Sequence, residues 1–517
     1  MQLSALVTST LLALAQANCQ PKGPLTIRTN TGTYTGLRNP DYPAVREFRN
    51  IPFAKPPIGS RRFLPPEPLP PSTKHHYSTR FPPSCPQFVV NSDTSFWNRY
   101  VPYLLIENGN QNHSSGLSAQ TSSEDCLSLA IWTPYGVEAD AKLPVAFFMT
   151  GGGFATGGIE IPGQIPASWV NRTSSHIVVT INYRANIFGF PNAAGLESQN
   201  LGILDQRAAL EWVAENIDSF GGDPDSVVIW GQSAGSESTD YHNFAYWDNP
   251  IVKASYMQSG TSLKALRTQD YAHTNFTFVA KNLGCDFPDE PVAELECMRQ
   301  VPQTIITNFV GQYSGKPSIT FSPIADEVII FSNYSARAAA GKISPNPAVI
   351  GNAANEVASL AAFPVANFTE GPWQAGINAR TLSGWVCPTA NTSRLRRAAG
   401  LVTYRYQYAG NFTNQSPLNW LGAYHASDLV MNFGTYGFNA GNSNKPSALQ
   451  IKTSEAMQDR FFAFMKDPVN GLRELGWEPY EYGSDVVRFG AGVAVSTVSG
   501  YEIDGPCFGN GTYDSSP

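Results

Sequence analysis

The sequence feature that most constrains the fold is the pentapeptide Gly231 to Gly235, which reads Gly-Gln-Ser-Ala-Gly and directly follows an apolar run. Residues 226–230 (SVVIW) have the length and β-branched content of a buried strand. In a G-x-S-x-G sequence the two glycines let a strand fold sharply into a helix, with the serine exposed at the apex. The pattern therefore predicts a strand, a tight turn at Ser233 and a helix. The alternative, a glycine-rich turn with a solvated serine, is disfavoured by the preceding strand.

Other apolar runs predict further strands. Leu143 to Met149 (LPVAFFM) ends just before three glycines, and Ile177 to Ile181 (IVVTI) is rich in β-branched residues. Residues 204–217 place apolar side chains near a helical spacing and stop at the turn-forming residues 219–224. This order predicts an α/β fold with a mostly parallel central sheet, helices on both faces and long insertions. Chemistry is then expected at the carboxyl ends of the strands.

Length and charge exclude several classes of protein. The chain has 517 residues, of which 42% are hydrophobic and 15% charged, which suits a large globular core. Its net charge is −7, and Lys and Arg form no run longer than a pair, so nucleic-acid binding is not expected. The proline-rich stretch 52–71 predicts an extended surface segment. No repeat or linker divides the chain, and a single domain is expected over residues 18–517.

The amino terminus predicts export. Residues 1–17 carry an apolar run and end in Ala15-Gln16-Ala17, the small-x-small pattern of a secretory signal peptide. The alternative is a buried amino-terminal helix. No later stretch has the roughly 18 consecutive apolar residues that a membrane span needs, and the last four residues are polar. We therefore expect a soluble, secreted, extracellular product without a stable membrane anchor.

Sequons and cysteines agree with export. A density of Asn-x-Ser/Thr sites is typical of a glycosylated secreted surface. An oxidising compartment would let most cysteines pair, and none shows the spacing of a zinc site, so no metal is expected. The sequons are at Asn112, Asn171, Asn275, Asn333, Asn367, Asn391, Asn411, Asn414 and Asn510, and the cysteines are Cys19, Cys85, Cys126, Cys285, Cys297, Cys387 and Cys507.

A serine nucleophile needs a base within hydrogen-bond reach and an acid that orients the base. Three histidines follow Ser233 in the sequence, namely His242, His273 and His425. His425 is the best candidate for the base, because His242 is only nine residues beyond the serine and His273 adjoins a sequon. Glu356 follows a short strand-like run and is the candidate acid. Taken alone, each could equally be an ordinary core or surface residue, but together they give the α/β-hydrolase order of nucleophile, acid and base.

Backbone amides are candidates for the oxyanion hole, which must stabilise the negative charge of a tetrahedral intermediate. Gly151-Gly152-Gly153 follows a predicted strand, and its glycines allow close approach of a substrate. We assign the amides of Gly152 and Gly153, together with that of Ala234. The alternative is a flexible glycine loop without function.

Ordered motifs along nearly the whole chain resemble the type-B carboxylesterase/lipase family, the cholinesterase-like branch of the α/β-hydrolases, and its secreted fungal members most closely. The resemblance implies the same triad of Ser233, Glu356 and His425, and the same oxyanion hole. The motifs are residues 48–57 (FRNIPFAKPP), 124–129 (EDCLSL), 182–184 (NYR), 204–206 (LDQ), 216–217 (NI), 220–224 (FGGDP) and 231–235 (GQSAG).

The resemblance also implies residue pairs that hold the fold together. A bond between Cys387 and Cys507, which would leave Cys19 unpaired, is a hypothesis beyond the resemblance. The implied ion pairs and disulfides are Arg62 with Glu124, Arg184 with Asp205, Cys85 with Cys126, and Cys285 with Cys297.

The sequence departs from the family pattern in places. Thr150 stands where many members have histidine, and Asn355 stands where an acidic residue is more common. The position of a cation-binding tryptophan in choline esterases is occupied by residues 114–117 (SSGL), which disfavours a choline substrate. Aromatic residues in the loop between Cys85 and Cys126 either cover an acyl or aryl site or simply hold the loop down. They are Phe88, Phe96, Trp97, Tyr100 and Tyr103.

These observations predict a secreted serine carboxylic ester hydrolase that needs no cofactor and acts on a small-molecule ester. A second hypothesis uses the same triad in a biosynthetic pathway, as a lactonase, an acyltransferase or a dimer-forming catalyst. A third hypothesis is a non-catalytic binding module of cholinesterase-like fold. The oligomeric state and the physiological ester are left open.

Overall fold

A computed structural model describes residues 24–88, 122–361, 369–437 and 445–517. Within these ranges the strands form a larger sheet of eleven strands and a smaller sheet of three. The strands are β1 (Thr26–Thr29), β2 (Gly32–Thr35), β3 (Leu37–Arg38), β4 (Val45–Pro52), β5 (His75–Tyr77), β6 (Ser128–Pro134), β7 (Leu143–Met149), β8 (Ile177–Ile181), β9 (Gly222–Gln232), β10 (Ala254–Gln258), β11 (Ala348–Ala353), β12 (Thr403–Tyr408), β13 (Asp485–Phe489) and β14 (Val495–Ser499).

The helices of the described ranges lie mostly between the strands of the larger sheet. None of them combines the length and the apolar content needed to cross a lipid bilayer. They are α1 (Ala167–Thr173), α2 (Asn186–Gly189), α3 (Leu201–Asn216), α4 (Ala234–Ala245), α5 (Thr274–Asn282), α6 (Pro291–Gln300), α7 (Gln303–Gln312), α8 (Tyr334–Ala339), α9 (Gln374–Thr381), α10 (Cys387–Ala398), α11 (Leu429–Phe433), α12 (Ala448–Lys466) and α13 (Gly500–Ile503).

The larger sheet is parallel in its centre and antiparallel at both edges. Its strand order is β14-β13-β12-β11-β10-β9-β7-β8-β6-β4-β3. Neighbouring strands from β13 to β8 run parallel, whereas β14, β6, β4 and β3 pair antiparallel with their neighbours. The carboxyl ends of the parallel strands therefore meet along one edge of the sheet, as the sequence predicts. With helices on both faces, this is the α/β-hydrolase architecture.

The central strands are buried on both faces because helices cover each side of the sheet. Along β7, Val145 and Phe147 belong to one apolar cluster, and Ala146 and Phe148 belong to the other. Side chains of α3 and α4 complete the first cluster, and side chains of α1 and α12 complete the second. This two-sided burial explains why the strands read as continuous apolar runs.

The sequence predicts the bounds of some elements and not of others. Strands β7 and β8 begin and end where predicted, whereas α3 begins at Leu201 instead of 204. Strand β9 begins at Gly222, before the predicted 226, although Pro224 lies within it. The prediction was wrong there because Leu143 pairs with Gly222 across a register shift that tolerates the proline. The proline-rich segment is extended apart from a 3-10 turn at Gly59–Arg61, and Ala54 forms an isolated bridge with Pro68. It does not lie wholly on the surface as predicted, because Phe53 and Phe63 pack into the core.

Disulfide bonds and buried ion pairs connect the loops and helices around the sheet. The predicted ion pairs are both present: Arg62 Nε lies 2.6 Å from Glu124 Oε1, and Arg184 Nη2 lies 2.7 Å from Asp205 Oδ1. Cys19 lies outside the described residues. The disulfides are Cys85–Cys126, Cys285–Cys297 and Cys387–Cys507.

The Arg184–Asp205 pair predicts the effect of removing one buried charge. Asp205 accepts bonds from the Arg184 backbone amide and guanidinium, and both side chains are buried. We expect Asp205→Asn to lower the free energy of unfolding by about 3 kcal/mol, because the arginine is left as an unpaired buried cation. The measurement is guanidinium denaturation of wild type and variant.

The control for this prediction is Glu211→Gln, on the same helix. Glu211 pairs with Arg207 at 2.8 Å but its side chain is 52% exposed, so its loss should change the free energy by less than about 1 kcal/mol. Equal effects of the two substitutions would contradict the structural role of the buried pair.

Candidate active site

The turn at Ser233 has a backbone conformation that the surrounding structure enforces. Ser233 joins β9 to α4 with φ 55° and ψ −122°, which is strained for a residue with a side chain. A Cβ atom on Gly231 would lie 2.1 Å from the backbone of Gly235, and one on Gly235 would lie 2.0 Å from the carbonyl oxygen of Met149. Only glycine fits at either position, so the pentapeptide is the sharp turn that the sequence predicts.

Hydrogen bonds fix this turn to the next strand. The Ser233 amide donates to the Gln258 carbonyl at the end of β10, at 2.8 Å. The Ser236 hydroxyl donates to the Gly260 carbonyl at 2.6 Å. The nucleophile candidate is thus held by backbone contacts to β7, β9 and β10 rather than by its own side chain.

The structure brings the predicted acid and base together. His425 Nδ1 is hydrogen-bonded to Glu356 Oε2, although the two residues are 69 positions apart. The other carboxylate oxygen accepts from the Ala353 amide at 2.7 Å, which fixes the carboxylate at the end of β11. His425 and Glu356 are 3% and 0% exposed. The carboxylate therefore orients the imidazole, as an acid in a triad must.

A cavity of about 250 Å³ contains the predicted groups. His425 Nε2 lies 3.3 Å from Nε2 of Gln232, the residue before the serine. Ser233, His425 and the glycine loop all contribute to the cavity wall. The lining residues are Gly152, Gly153, Thr156, Gln232, Ser233, Arg267, Leu360, Trp385 and His425.

The other two histidines after Ser233 serve elsewhere. His242 is buried against Gln206, and burial lowers its pKa to about 3. His273 contacts the side chain of Asn192 through Nδ1 at 2.9 Å. Neither lines the cavity, so the geometry favours His425 as the base.

The glycine loop has the conformation that the oxyanion-hole hypothesis needs. Gly152 and Gly153 have φ values of 105° and 66°, which favour glycine. Within the described residues their amides donate no hydrogen bond to the protein, and both residues line the cavity. Thr150, before the loop, is buried, and its carbonyl accepts from Tyr183 Oη at 2.8 Å. The loop is supported without the histidine that is common in the family.

Trp385 is a cavity residue that sequence reasoning missed. It lies in a π-helical segment between α9 and α10, and its ring packs edge-on against His425 with centroids 5.6 Å apart. Lys264 lies 4.2 Å above the same ring and pairs with Glu237 at 2.9 Å. No local sequence signal marks this tryptophan, because its contact with His425 depends on the path of a distant helix.

Asn355 connects the acid loop to the base loop. Its side-chain Nδ2 donates to the carbonyls of Trp420 and Leu421, both at 2.9 Å, and its backbone amide donates to Ala423 at 2.8 Å. Its Oδ1 accepts from Gln374 Nε2 at 3.2 Å. A carboxylate could not donate to these carbonyls, so the departure from the family pattern at this position has a structural role here.

Asp428 is a second buried carboxyl near the triad. Its Oδ2 accepts from Gln258 Nε2 at 2.8 Å and from Tyr406 Oη at 3.0 Å. Burial, followed by the nearby charge of Glu356, raises the pKa of Asp428 to about 6. Among the described residues, no group of three or more His, Cys, Asp or Glu side chains is arranged to hold a metal ion.

Comparison with known proteins identifies the family. The model of the Carboxylesterase family matches residues 23–381. The chain belongs to this carboxylesterase family. It is 40% identical over 504 residues, 93% of this chain and 94% of the relative, to a chlorogenic acid esterase of Aspergillus niger. It is 36% identical to secreted lipase 5 of Gibberella zeae, over 99% of each chain.

The carboxylesterase relatives extend beyond fungi. Acetylcholinesterase of Electrophorus electricus is 33% identical over 67% of this chain and 53% of its own length. The family and its named esterases and lipases make this chain a carboxylic ester hydrolase. This confirms the family resemblance and disfavours the hypothesis of a non-catalytic binding module.

The contacts of Asn355 predict a loss of activity on charge insertion. We expect Asn355→Asp to lower kcat about tenfold or more and to lower Tm. The reason is that the buried Leu421 carbonyl and the half-buried Trp420 carbonyl lose their donor and face a carboxylate, at up to about 1–3 kcal/mol per unpaired group. Steady-state kinetics and thermal unfolding measure this effect. Asn378→Asp is the control, since Asn378 accepts from the same Gln374 amide through an oxygen that aspartate keeps. Wild-type kcat and Tm in the Asn355 variant would contradict the proposed connection.

The raised pKa of Asp428 predicts a pH-dependent stability. The folded protein binds a proton at this carboxyl more tightly than the unfolded chain does. The contribution of Asp428 to the free energy of unfolding therefore falls as the pH rises from 3.8 to about 6. Asn cannot ionise. We therefore expect the free energy of unfolding of Asp428→Asn, minus that of wild type, to increase by on the order of 2–3 kcal/mol from pH 4 to pH 7. Denaturation at the two pH values measures the difference, and a pH-independent difference would mean that the carboxyl is not shifted.

Proposed function

We propose that the chain is a secreted serine esterase that hydrolyses carboxylic esters through a covalent acyl intermediate on Ser233. The observation that carries this proposal is the convergence of three separate segments on one cavity. The strained Ser233 turn, the glycine loop and the His425 side chain line it, and Glu356 holds the imidazole from behind. This arrangement provides a nucleophile, a base with its orienting acid, and free backbone donors.

The first half of the reaction forms the acyl-enzyme. As substrate binds, His425 Nε2 exchanges its contact with the Gln232 amide for one with the Ser233 hydroxyl and accepts its proton. The serine oxygen then bonds to the ester carbonyl carbon. The amides of Gly152, Gly153 and Ala234 donate to the resulting oxyanion. The C–O bond to the alcohol breaks, and the alcohol leaves with the proton from His425.

The second half releases the acid. Water gives a proton to His425 and bonds to the acyl carbon, the Ser233 oxygen leaves, and the proton returns to the serine. Glu356 orients the imidazole and stabilises the imidazolium in each half. The Ala353 amide, which donates to Glu356, holds that carboxylate in place behind the imidazole.

The relatives suggest the substrates to test. One is named for chlorogenic acid, and another is named as a lipase. We propose that this chain likewise acts on an ester with an organic acyl group. No contact among the described residues favours acyl transfer to an alcohol over transfer to water.

Export is part of the proposal. Three disulfides suit an oxidising compartment, and the proposed signal peptide, residues 1–17, lies outside the described residues. Asn112 and Asn367 also lie outside them. The sequon asparagines with exposed side chains are Asn333, Asn391, Asn411 and Asn510.

The remaining sequons differ in their surroundings. Asn414 is 4% exposed, and its amide donates to the Tyr436 carbonyl at 2.9 Å, so a glycan does not fit there on the folded chain. Asn171 and Asn275 are half-buried and hydrogen-bonded, to the Ala44 amide and the Thr320 carbonyl. We propose glycans at the exposed sites first.

Hydrolysis of p-nitrophenyl esters from short to long acyl chains tests the function. We expect wild-type protein to release p-nitrophenol and Ser233→Ala to lose at least about 10⁴-fold in kcat, since no other group replaces the nucleophile. Exposed Ser332→Ala is the matched control and should keep full activity. A short-chain optimum means a confined acyl site, and a long-chain optimum means a lipase-like one.

A fluorophosphonate probe gives an independent test of the nucleophile. It should label wild type and Ser332→Ala but not Ser233→Ala. Labelling or ordinary turnover in the Ser233 variant, with its fold intact by circular dichroism, would overturn the assignment.

A further inference from the structure

A second cavity, of about 320 Å³, adjoins the cavity of the nucleophile. Apolar side chains from three segments line much of it, including Phe88, Val310, Ile319 and Phe321. Both cavities share the same two residues, Gly153 and Arg267. An ester bound at Ser233 therefore has room to extend past the glycine loop into an apolar space.

Arg267 stands at the junction of the two cavities. Its guanidinium donates one hydrogen bond to the Gly153 carbonyl, at 3.2 Å, and its side chain is exposed. No carboxylate of the described residues forms an ion pair with it. The guanidinium has five N–H donors, so most of its hydrogen-bonding capacity is free for a ligand.

The charges around this junction favour an anion. Neither cavity has Asp or Glu in its described lining, and the residue before the serine is the neutral Gln232. The acidic residues close to Ser233 or Arg267 in the sequence have other partners. Glu237 pairs with Lys264, and Asp270 accepts from the amides of Thr274 and Asn275. Arg267 is thus the one permanently charged side chain in the described lining of either cavity.

We propose that Arg267 binds a carboxylate of the substrate, so that the enzyme prefers esters carrying a free acid to their neutral analogues. The inference rests on the proposed function, because it places the reacting ester at Ser233. It names the substrate class: a monoester of a dicarboxylic acid, or an ester of a hydroxy acid, with an apolar or aryl part for the second cavity.

The chemistry of the guanidinium supports this class. Arginine binds carboxylates through two parallel N–H···O bonds, which fix orientation as well as charge. Because Arg267 touches the carbonyl of Gly153, a carboxylate bound there is held next to the proposed oxyanion hole. Discrimination between charged and neutral esters then follows from one contact, since the neutral analogue leaves that contact unmade.

Two matched substrate pairs test the proposal, one for each arm of the ester. The mono-p-nitrophenyl ester of glutaric acid and p-nitrophenyl valerate have the same acyl length and differ in a terminal carboxylate. Chlorogenic acid and its methyl ester differ in a carboxylate on the alcohol arm. The readout is the ratio of kcat/KM, charged over neutral, within each pair.

We expect wild type to prefer the charged member of at least one pair, and Arg267→Gln to reduce that ratio about tenfold. Arg267→Lys keeps the charge and should keep part of the preference. Arg28→Gln removes an exposed arginine of β1, outside both cavity linings, and should leave the ratio unchanged.

The proposal is overturned if the ratio in Arg267→Gln equals that of wild type for both pairs. An equal loss of activity on the charged and neutral members, which also leaves the ratio unchanged, would mean that Arg267 only supports the glycine loop. Failure of the proposed function is distinguishable, because Ser233→Ala would then retain hydrolysis of the neutral p-nitrophenyl ester.

Discussion

The strained backbone at Ser233 is the constraint on which the rest of the site depends. A residue in such a conformation costs about 1–3 kcal/mol and persists only when its neighbours enforce it. Here the enforcing contacts come from the adjacency of β7, β9 and β10: Gly235 packs on the end of β7, and the serine amide bonds to the end of β10. The parallel sheet therefore does more than carry the serine. The neighbouring strands β7 and β10 hold the turn at Ser233 in place, and Glu356, the proposed acid, follows the next strand, β11, at the same edge of the sheet.

Hydrogen bonds between distant loops hold Glu356 and His425 in position relative to each other. Asn355 fastens the acid loop to the carbonyls that precede His425. The carboxyl-terminal segment adds a second fastening, since the Tyr513 hydroxyl donates to the Ala354 carbonyl at 2.7 Å and Ser515 Oγ accepts from Gln374 Nε2 at 3.1 Å. Burial raises the pKa of Tyr513 above its ordinary value, so it remains a donor at neutral pH. The position of the His425 imidazole thus depends on the carboxyl-terminal segment, more than 80 residues further along the chain.

The sequence predicts features that depend on short continuous segments. It does not predict contacts between segments that are far apart in the chain. The strand before Ser233, the glycines around it and the order of acid and base all leave local signals, and the structure places those residues in contact or in one cavity. Trp385 and Arg267 leave none, because each gains its role only when separate segments pack around Ser233. Asn355 is visible as a departure, yet its function requires knowing which carbonyls it faces. The early start of β9 has the same cause, a pairing with Leu143 that its own residues do not encode.

The carboxyl groups near His425 lie on one side of it, and the hydrogen-bond donors and Arg267 lie on the other. This separation suits the proposed ester hydrolysis. Glu356 and Asp428 lie outside the described linings of both cavities, so neither carboxyl group faces a bound substrate. On the cavity side stand backbone donors and Arg267. In the proposed reaction, Glu356 stabilises the imidazolium from behind and the backbone amides stabilise the oxyanion from the cavity side. A carboxylate at the position of Gln232 would oppose that oxyanion, whereas a neutral amide leaves the guanidinium as the dominant charge that a substrate meets.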